Sequence, residues 1–200
     1  EKLTVLAIPM LNPDGAERFE RRNAQGIDIN RDARALATPE ARILKGAQER
    51  FRPAFGFNLH DQNVRTRVGN GAAGAAIALL APAPNGEGIE TEAHRKATHL
   101  AAAIRRAIEP IVGGHITRYD DEFNPRAFGD LMQSWDVATV LIESGGWAGD
   151  PEKQVLRAVN FVAILAALDA IATGAFADAD PRDYLTLPEN GRAVNDLVVR

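Results

Sequence analysis

Short apolar runs alternate along this chain with longer segments whose apolar positions recur every three to four residues, the pattern of an α/β fold. Leu3-Thr4-Val5-Leu6-Ala7-Ile8, Phe55 to His60, Ala76 to Leu80 and Val137 to Ile142 read as strands, with a shorter extended piece from His115 to Tyr119. Thr38-Pro39-Glu40 supplies an N-cap, a first-turn proline and a first-turn acid, opening a helix toward Arg50. Thr91 to Ile108 is a second helix with Leu100, Ile104 and Ile108 on its core face. A third starts at Asp150-Pro151-Glu152, presents Val155, Val159 and Val162, and stops before Gly174. The expected fold is therefore α/β, a mixed, largely parallel central sheet with helices on both faces.

Two polar stretches interrupt this order, Pro9 to Thr38 and the segment after Tyr119 through Asp130. A connection as long as the first is functional or disordered. Residues 1–177 read as part of one domain, and 178–200, without helical period, as a tail that packs on it or leads into a following module. The chain opens at Glu1 directly into an apolar segment and stops just after Leu197-Val198-Val199, which reads as a fragment truncated at the N-terminus. Phe161 to Leu168, the most apolar stretch, is interrupted by Asp169 and falls short of the ~20 residues of a membrane span, so none is expected.

Composition narrows the chemistry. The 200 residues contain no cysteine, which excludes disulfides, thiolate metal sites and a cysteine nucleophile. A net charge of −4 argues against a general nucleic-acid surface. The first 67 residues nevertheless carry 12 Lys/Arg against 9 Asp/Glu, and the remainder 11 against 18. The early surplus is nearly all arginine, whose planar fork suits carboxylate or phosphate.

Two ionisable residues stand at the carboxyl ends of apolar strands, His60 and Glu143. Ligands bind at that edge of open α/β sheets. A glutamate after six apolar residues is costly unless it has a partner or lies in a cleft, and a carboxylate meeting a loop amide or an arginine would satisfy the same pattern. Alternation places Gly56, Asn58 and His60 on one face and Phe55, Phe57 and Leu59 on the other. His94, His99 and His115 have no ligand-like neighbours and read as surface residues. Asn12-Pro13-Asp14-Gly15 is a turn signal by composition. After it, Arg21-Arg22-Asn23 and Gly26-Ile27-Asp28-Ile29-Asn30-Arg31 concentrate the arginine surplus and offer many donors to an anion.

Taken in order, Asn12-Pro13-Asp14-Gly15, Arg21 with Asn23, Gly26 to Arg31, Leu59-His60 and Ile142-Glu143 resemble the zinc metallocarboxypeptidases, the carboxypeptidase A-like family. The resemblance spans Leu3 to about Ala172 and implies a carboxypeptidase-like fold and hydrolysis of the C-terminal peptide bond of peptides. It assigns the third zinc ligand to His60 and the general base and acid to Glu143. It also assigns the oxyanion-stabilising arginine to Arg21, with Arg22 as the neighbouring register, and the clamp on the substrate carboxylate to Asn30 and Arg31. Tyr119 is the candidate for a tyrosine that closes over substrate, and Arg126 a further cleft candidate. Asp120 to Glu122 would favour a basic substrate side chain or simply face solvent. The family's H-x-x-E motif, which brings the other two ligands, is absent from these 200 residues and is expected upstream, so the fragment alone is expected to be inactive. Peptide C-termini are the implied partners, and family habit points weakly to export. Two alternatives stay open: a zinc-dependent deacylase of N-acyl amino acids, aspartoacylase-like, and a non-catalytic module that binds peptide termini.

Overall fold

The computed structural model describes residues 3–87, 89–120 and 122–193. Strands β1 (Phe55–Asp61), β2 (Arg67–Val68), β3 (Ile77–Leu80), β4 (Ile116–Arg118), β5 (Ala138–Ser144) and β6 (Asn190–Gly191) are interleaved with helices. These are α1 (Pro13–Arg18), α2 (Pro39–Phe51), α3 (Glu92–Val112), α4 (Phe128–Ser134), α5 (Gln154–Thr173) and α6 (Arg182–Leu185). The main sheet has the order β1-β5-β3-β4. The pairs β1–β5 and β3–β4 are parallel and β3–β5 is antiparallel, so the sheet is mixed and largely parallel, as the apolar pattern implied.

One face of the sheet carries the larger core. Phe55 and Phe57 of β1 and Ala138, Val140 and Ile142 of β5 pack with Leu100, Ile104 and Ile108 of α3 and Leu156 and Val159 of α5. The opposite face of β5 meets α4, where the buried Gln133 side chain accepts the Thr139 N–H at 2.9 Å. Behind α4 a second apolar cluster joins Phe128, Ile29, Ala33 and Ala41, which ties α2 and the long arginine-rich loop to this side. Helices thus flank both faces.

Helix boundaries follow their caps. The Thr38 hydroxyl accepts the Ala41 N–H and the Thr91 hydroxyl the His94 N–H, starting α2 and α3 where the sequence placed them. The third long helix starts later than expected, at Gln154, because the Asp150 carboxylate accepts the N–H groups of Gln154, Val155 and Leu156. That helix, α5, spans 20 residues and contains an 18-residue stretch with a mean hydropathy of 2.0, long and apolar enough to cross a membrane by length and composition. It therefore exceeds the short apolar stretch that the sequence suggested. Leu156, Val159, Ala163 and Ala167 form its buried face against the main core, whereas Phe161 and Leu165 are exposed.

Residues 3–8 form no strand. No described segment pairs with them, and Val5 and Leu6 are 64% and 50% exposed. β-Propensity needs a neighbouring strand to complete its hydrogen bonds, and this segment has none. Two short helices, α1 and α4, lie in stretches expected to be loop. In the tail, the Tyr184 hydroxyl accepts the Ala81 N–H at 3.0 Å, and β6 pairs with β2. Residues 194–200, the end of that tail, and Asp121 within the acidic run lie outside the described residues.

Candidate active site

The parallel pairing of β1 and β5 puts His60 opposite Glu143 in register. Registered residues on adjacent strands project to the same face, here the one away from Phe55 and Phe57. Glu143 lies inside β5 rather than after it, is only 7% exposed, and its Oε2 has no hydrogen-bond partner among the described residues. Burial pushes its carboxyl above the ordinary range, the nearby Asp61 charge pushes it further, and Arg21 pulls it back. His60 is half-buried. Burial holds its imidazole below the usual range, and Arg21 and Arg31 reinforce this against Asp28. Both shifts favour the uncharged form, the imidazole of His60 and the carboxylic acid of Glu143.

The long loop folds through its own short polar side chains. Asn12 caps α1 by accepting the Gly15 N–H at 3.0 Å and donates to the Arg21 carbonyl at 3.3 Å. Gly15 must lack a side chain, because a Cβ there would collide with the Asn12 side chain and the Glu20 carbonyl. Asn23, buried, accepts from the N–H groups of Gln25 and Ile27 and so closes the turn at 23–27. Asp28 then accepts the Asn30 N–H through one oxygen and Arg21 Nε at 2.7 Å through the other. Its ion pair fixes a guanidinium that is itself 61% exposed.

A second loop is laced onto the first. Asn30 Oδ1 accepts the Phe128 N–H at 3.0 Å, Arg126 Nε donates to the Arg31 carbonyl at 3.2 Å, and the Ala33 N–H donates to the Arg126 carbonyl. Asn30 keeps its side-chain NH2 without a partner among the described residues. Arg31 spends Nη1 on the Asn30 carbonyl, and its charge reaches His60, Tyr119 and Asp130. Tyr119 follows β4, is half-buried, and donates its N–H to the Leu79 carbonyl. Burial raises its phenol, Glu143 and Asp120 raise it further, and Arg31 and Arg21 oppose them.

Arg21, Asn30, Arg31, His60, Tyr119 and Glu143, drawn from five separate parts of the sequence, therefore gather at one edge of the sheet. Three contributors were missed. Asp28 had a place in the motif but no role, although an acid seven residues after an arginine is a pairing that could have been proposed. Asp61 pairs with Lys153 at 2.8 Å and raises Glu143. Asp130, half-buried and raised mainly by burial, accepts the Asn124 N–H and shapes the second loop.

His99 and His115 are half-buried, not surface residues. Each meets a backbone carbonyl through Nδ1, Ala179 at 2.8 Å and Gly74 at 2.7 Å, and each lies apart from His60 in this network. His94 is also half-buried, with a buried Nδ1. Among the described residues no three His, Cys, Asp or Glu side chains are arranged to hold a metal ion. His60 with Glu143 therefore does not make a metal site from these residues alone.

No family model matches the chain. Over 61 residues it is 38% identical to carboxypeptidase 2 of Trichophyton tonsurans and 36% identical to carboxypeptidase 2 of Trichophyton rubrum. Each match covers 30% of this chain and 11% of the relative, so the comparison reaches a small part of those longer proteins. A solved structure from Shewanella denitrificans OS217, described as a "putative metallopeptidase", superposes with a TM-score of 0.54 at 14% identity, covering 82% of this chain and 60% of that one. This likeness is one of fold.

Proposed function

We propose that this chain forms the substrate-binding and proton-transferring part of a zinc-dependent peptidase that removes C-terminal residues from peptides, a reading supported by its 61-residue likeness to fungal carboxypeptidase 2 and by the fold it shares with a metallopeptidase structure. The observation that carries this reading is the registered pair His60 and Glu143 with Arg21 and Arg31 facing them. His60 would be the one donor to zinc in this proposal, with the other donors not supplied by the described residues.

The roles follow from what each group has left to give. Asn30 offers its free amide NH2 and Arg31 its remaining guanidinium donors to the terminal carboxylate of a peptide, which fixes the bond presented to Glu143. Glu143, buried and with an unpartnered oxygen, takes a proton from the attacking water and returns it to the leaving amine. Arg21, steered by Asp28, supplies positive charge where the carbonyl oxygen becomes negative. Tyr119 lies against the same charges and would cover bound substrate.

Steady-state kinetics on a protein that includes the upstream segment test the assignment. Arg31→Ala should raise KM with kcat little changed, and Glu143→Gln should lower kcat by about a hundredfold or more. Full turnover by Glu143→Gln would refute the reading.

A further inference from the structure

Beside the proposed cleft lies a cavity of about 790 Å³ whose wall includes Arg22, Arg31, Arg34 and Arg126 together with Asp28 and Asp32. Neither carboxylate pairs with any of these four guanidiniums. Asp28 gives one oxygen to Arg21 and the other to the Asn30 N–H. Asp32 gives both of its oxygens to the Ala37 N–H and to the N–H and hydroxyl of Thr38. Arg22, Arg31 and Arg126 donate to the backbone carbonyls of Gly26, Asn30 and Arg31. None of the four arginines forms a salt bridge among the described residues, although the chain as a whole is acidic at −4.

Arg31 belongs to both this cavity and the cleft, since its charge also acts on His60 and Tyr119. One terminal carboxylate occupies one fork, so Arg22, Arg34 and Arg126 exceed what clamping a peptide end requires. We propose that these three arginines select peptides whose last residue is acidic, receiving its side-chain carboxylate while Asn30 and Arg31 hold the α-carboxylate. The proposal rests on the carboxypeptidase reading. Arginine's planar fork matches a carboxylate, and the cavity has room for an aspartate or glutamate side chain. Asp120 and Glu122, which could instead attract a basic side chain, are exposed and stand outside the cavity wall. Arg22, Arg34 and Arg126 are exposed as well, so the preference should weaken as salt rises.

The test is an NMR titration of the 200-residue chain with acetyl-Ala-Ala-Glu, acetyl-Ala-Ala-Gln, acetyl-Ala-Ala-Lys and the C-terminal amides of the first two. Glu and Gln differ in charge and little in shape, so their ratio isolates the side-chain carboxylate. The expected result is about tenfold tighter binding of the Glu peptide than of the Gln peptide. The shifts should centre on residues 22–35 and 126, and the ratio should fall toward one near 0.5 M salt. Arg34→Ala with Arg126→Ala should reduce the ratio to within about twofold while the chain keeps its native spectrum. Equal affinity for the Glu and Gln peptides, or a tighter Lys peptide, overturns the acidic preference. If the free acids still exceed the amides in that case, the carboxypeptidase reading stands without it. If free acids and amides bind alike, that reading fails, and a Glu amide that still exceeds the Gln amide leaves a carboxylate-binding cavity unconnected to peptide ends.

Discussion

His60 and Glu143 are register partners on the adjacent parallel strands β1 and β5. Two side chains to which the proposal gives different parts in hydrolysis thus leave the same face from neighbouring backbone positions, held by strand hydrogen bonds rather than by loop conformation. The strands bring the pair together and the loops at 12–36 and 119–130 bring the cations to it. In the proposed site, rigid elements would set the reacting groups and the loops the groups that recognise substrate.

Glu143 is stored at a cost. Its carboxyl is raised above the ordinary 4.5 by burial and by Asp61, so the native state binds its proton more tightly than the unfolded chain does. The ionised form therefore destabilises the fold as pH rises past 4.5, and protonation removes the penalty as pH falls. Glu143→Gln should accordingly raise stability at pH 7 by about 1 kcal/mol, a Tm increase of roughly 2–4 °C. The gain should disappear below the ordinary glutamate pKa. Calorimetry at pH 7 and in acid, on the variant and the parent, measures both.

Asp32 has the opposite sign. Burial alone would raise its carboxyl, but the N–H groups of Ala37 and Thr38, the Thr38 hydroxyl and the Arg42 charge together hold it below the ordinary 3.8. It contributes stability that is fully present above 3.8 and is lost as pH falls through its lower native value. Asp32→Ala should cost about 2–3 kcal/mol at pH 7 by orphaning those donors. Urea titrations should show that difference shrinking in acid, and a constant difference from pH 7 down to strong acid would contradict the role given to Asp32.

How much of this was legible depended on range. Strands β1 and β5 were visible as two apolar runs, though not their pairing, and His60 on the face opposite Phe55 and Phe57 followed from simple alternation. Thr38 and Thr91 announced their helices because a cap acts on N–H groups three residues away. The bond from the Phe128 N–H to Asn30, across 98 residues, has no local signature. Helix α4 escaped notice because Gly129 and the polar Asp130, Gln133 and Ser134 weaken its periodicity, while Phe128, Leu131 and Met132 meet the second apolar cluster. Residues 3–8 misled in the other direction, since their composition is that of a strand and nothing described pairs with them.

Gly15 makes the first loop testable. A methyl group there displaces the Asn12 side chain, which holds the Arg21 carbonyl. Gly15→Ala should destabilise the fold by about 1–3 kcal/mol. It should also speed amide exchange across 12–28 more than in β5, as measured by hydrogen–deuterium exchange. Uniform change along the chain would separate Gly15 from the placement of Arg21.

In the proposed reaction Asn30 and Arg31 present a free peptide C-terminus to Glu143. Mass spectrometry of the products that a protein including the upstream segment makes from one peptide, supplied as the free acid and as the C-terminal amide, tests it most directly. The free acid should lose single residues stepwise from its C-terminus, and the amide little or none. Internal cleavage, or equal turnover of acid and amide, would contradict it.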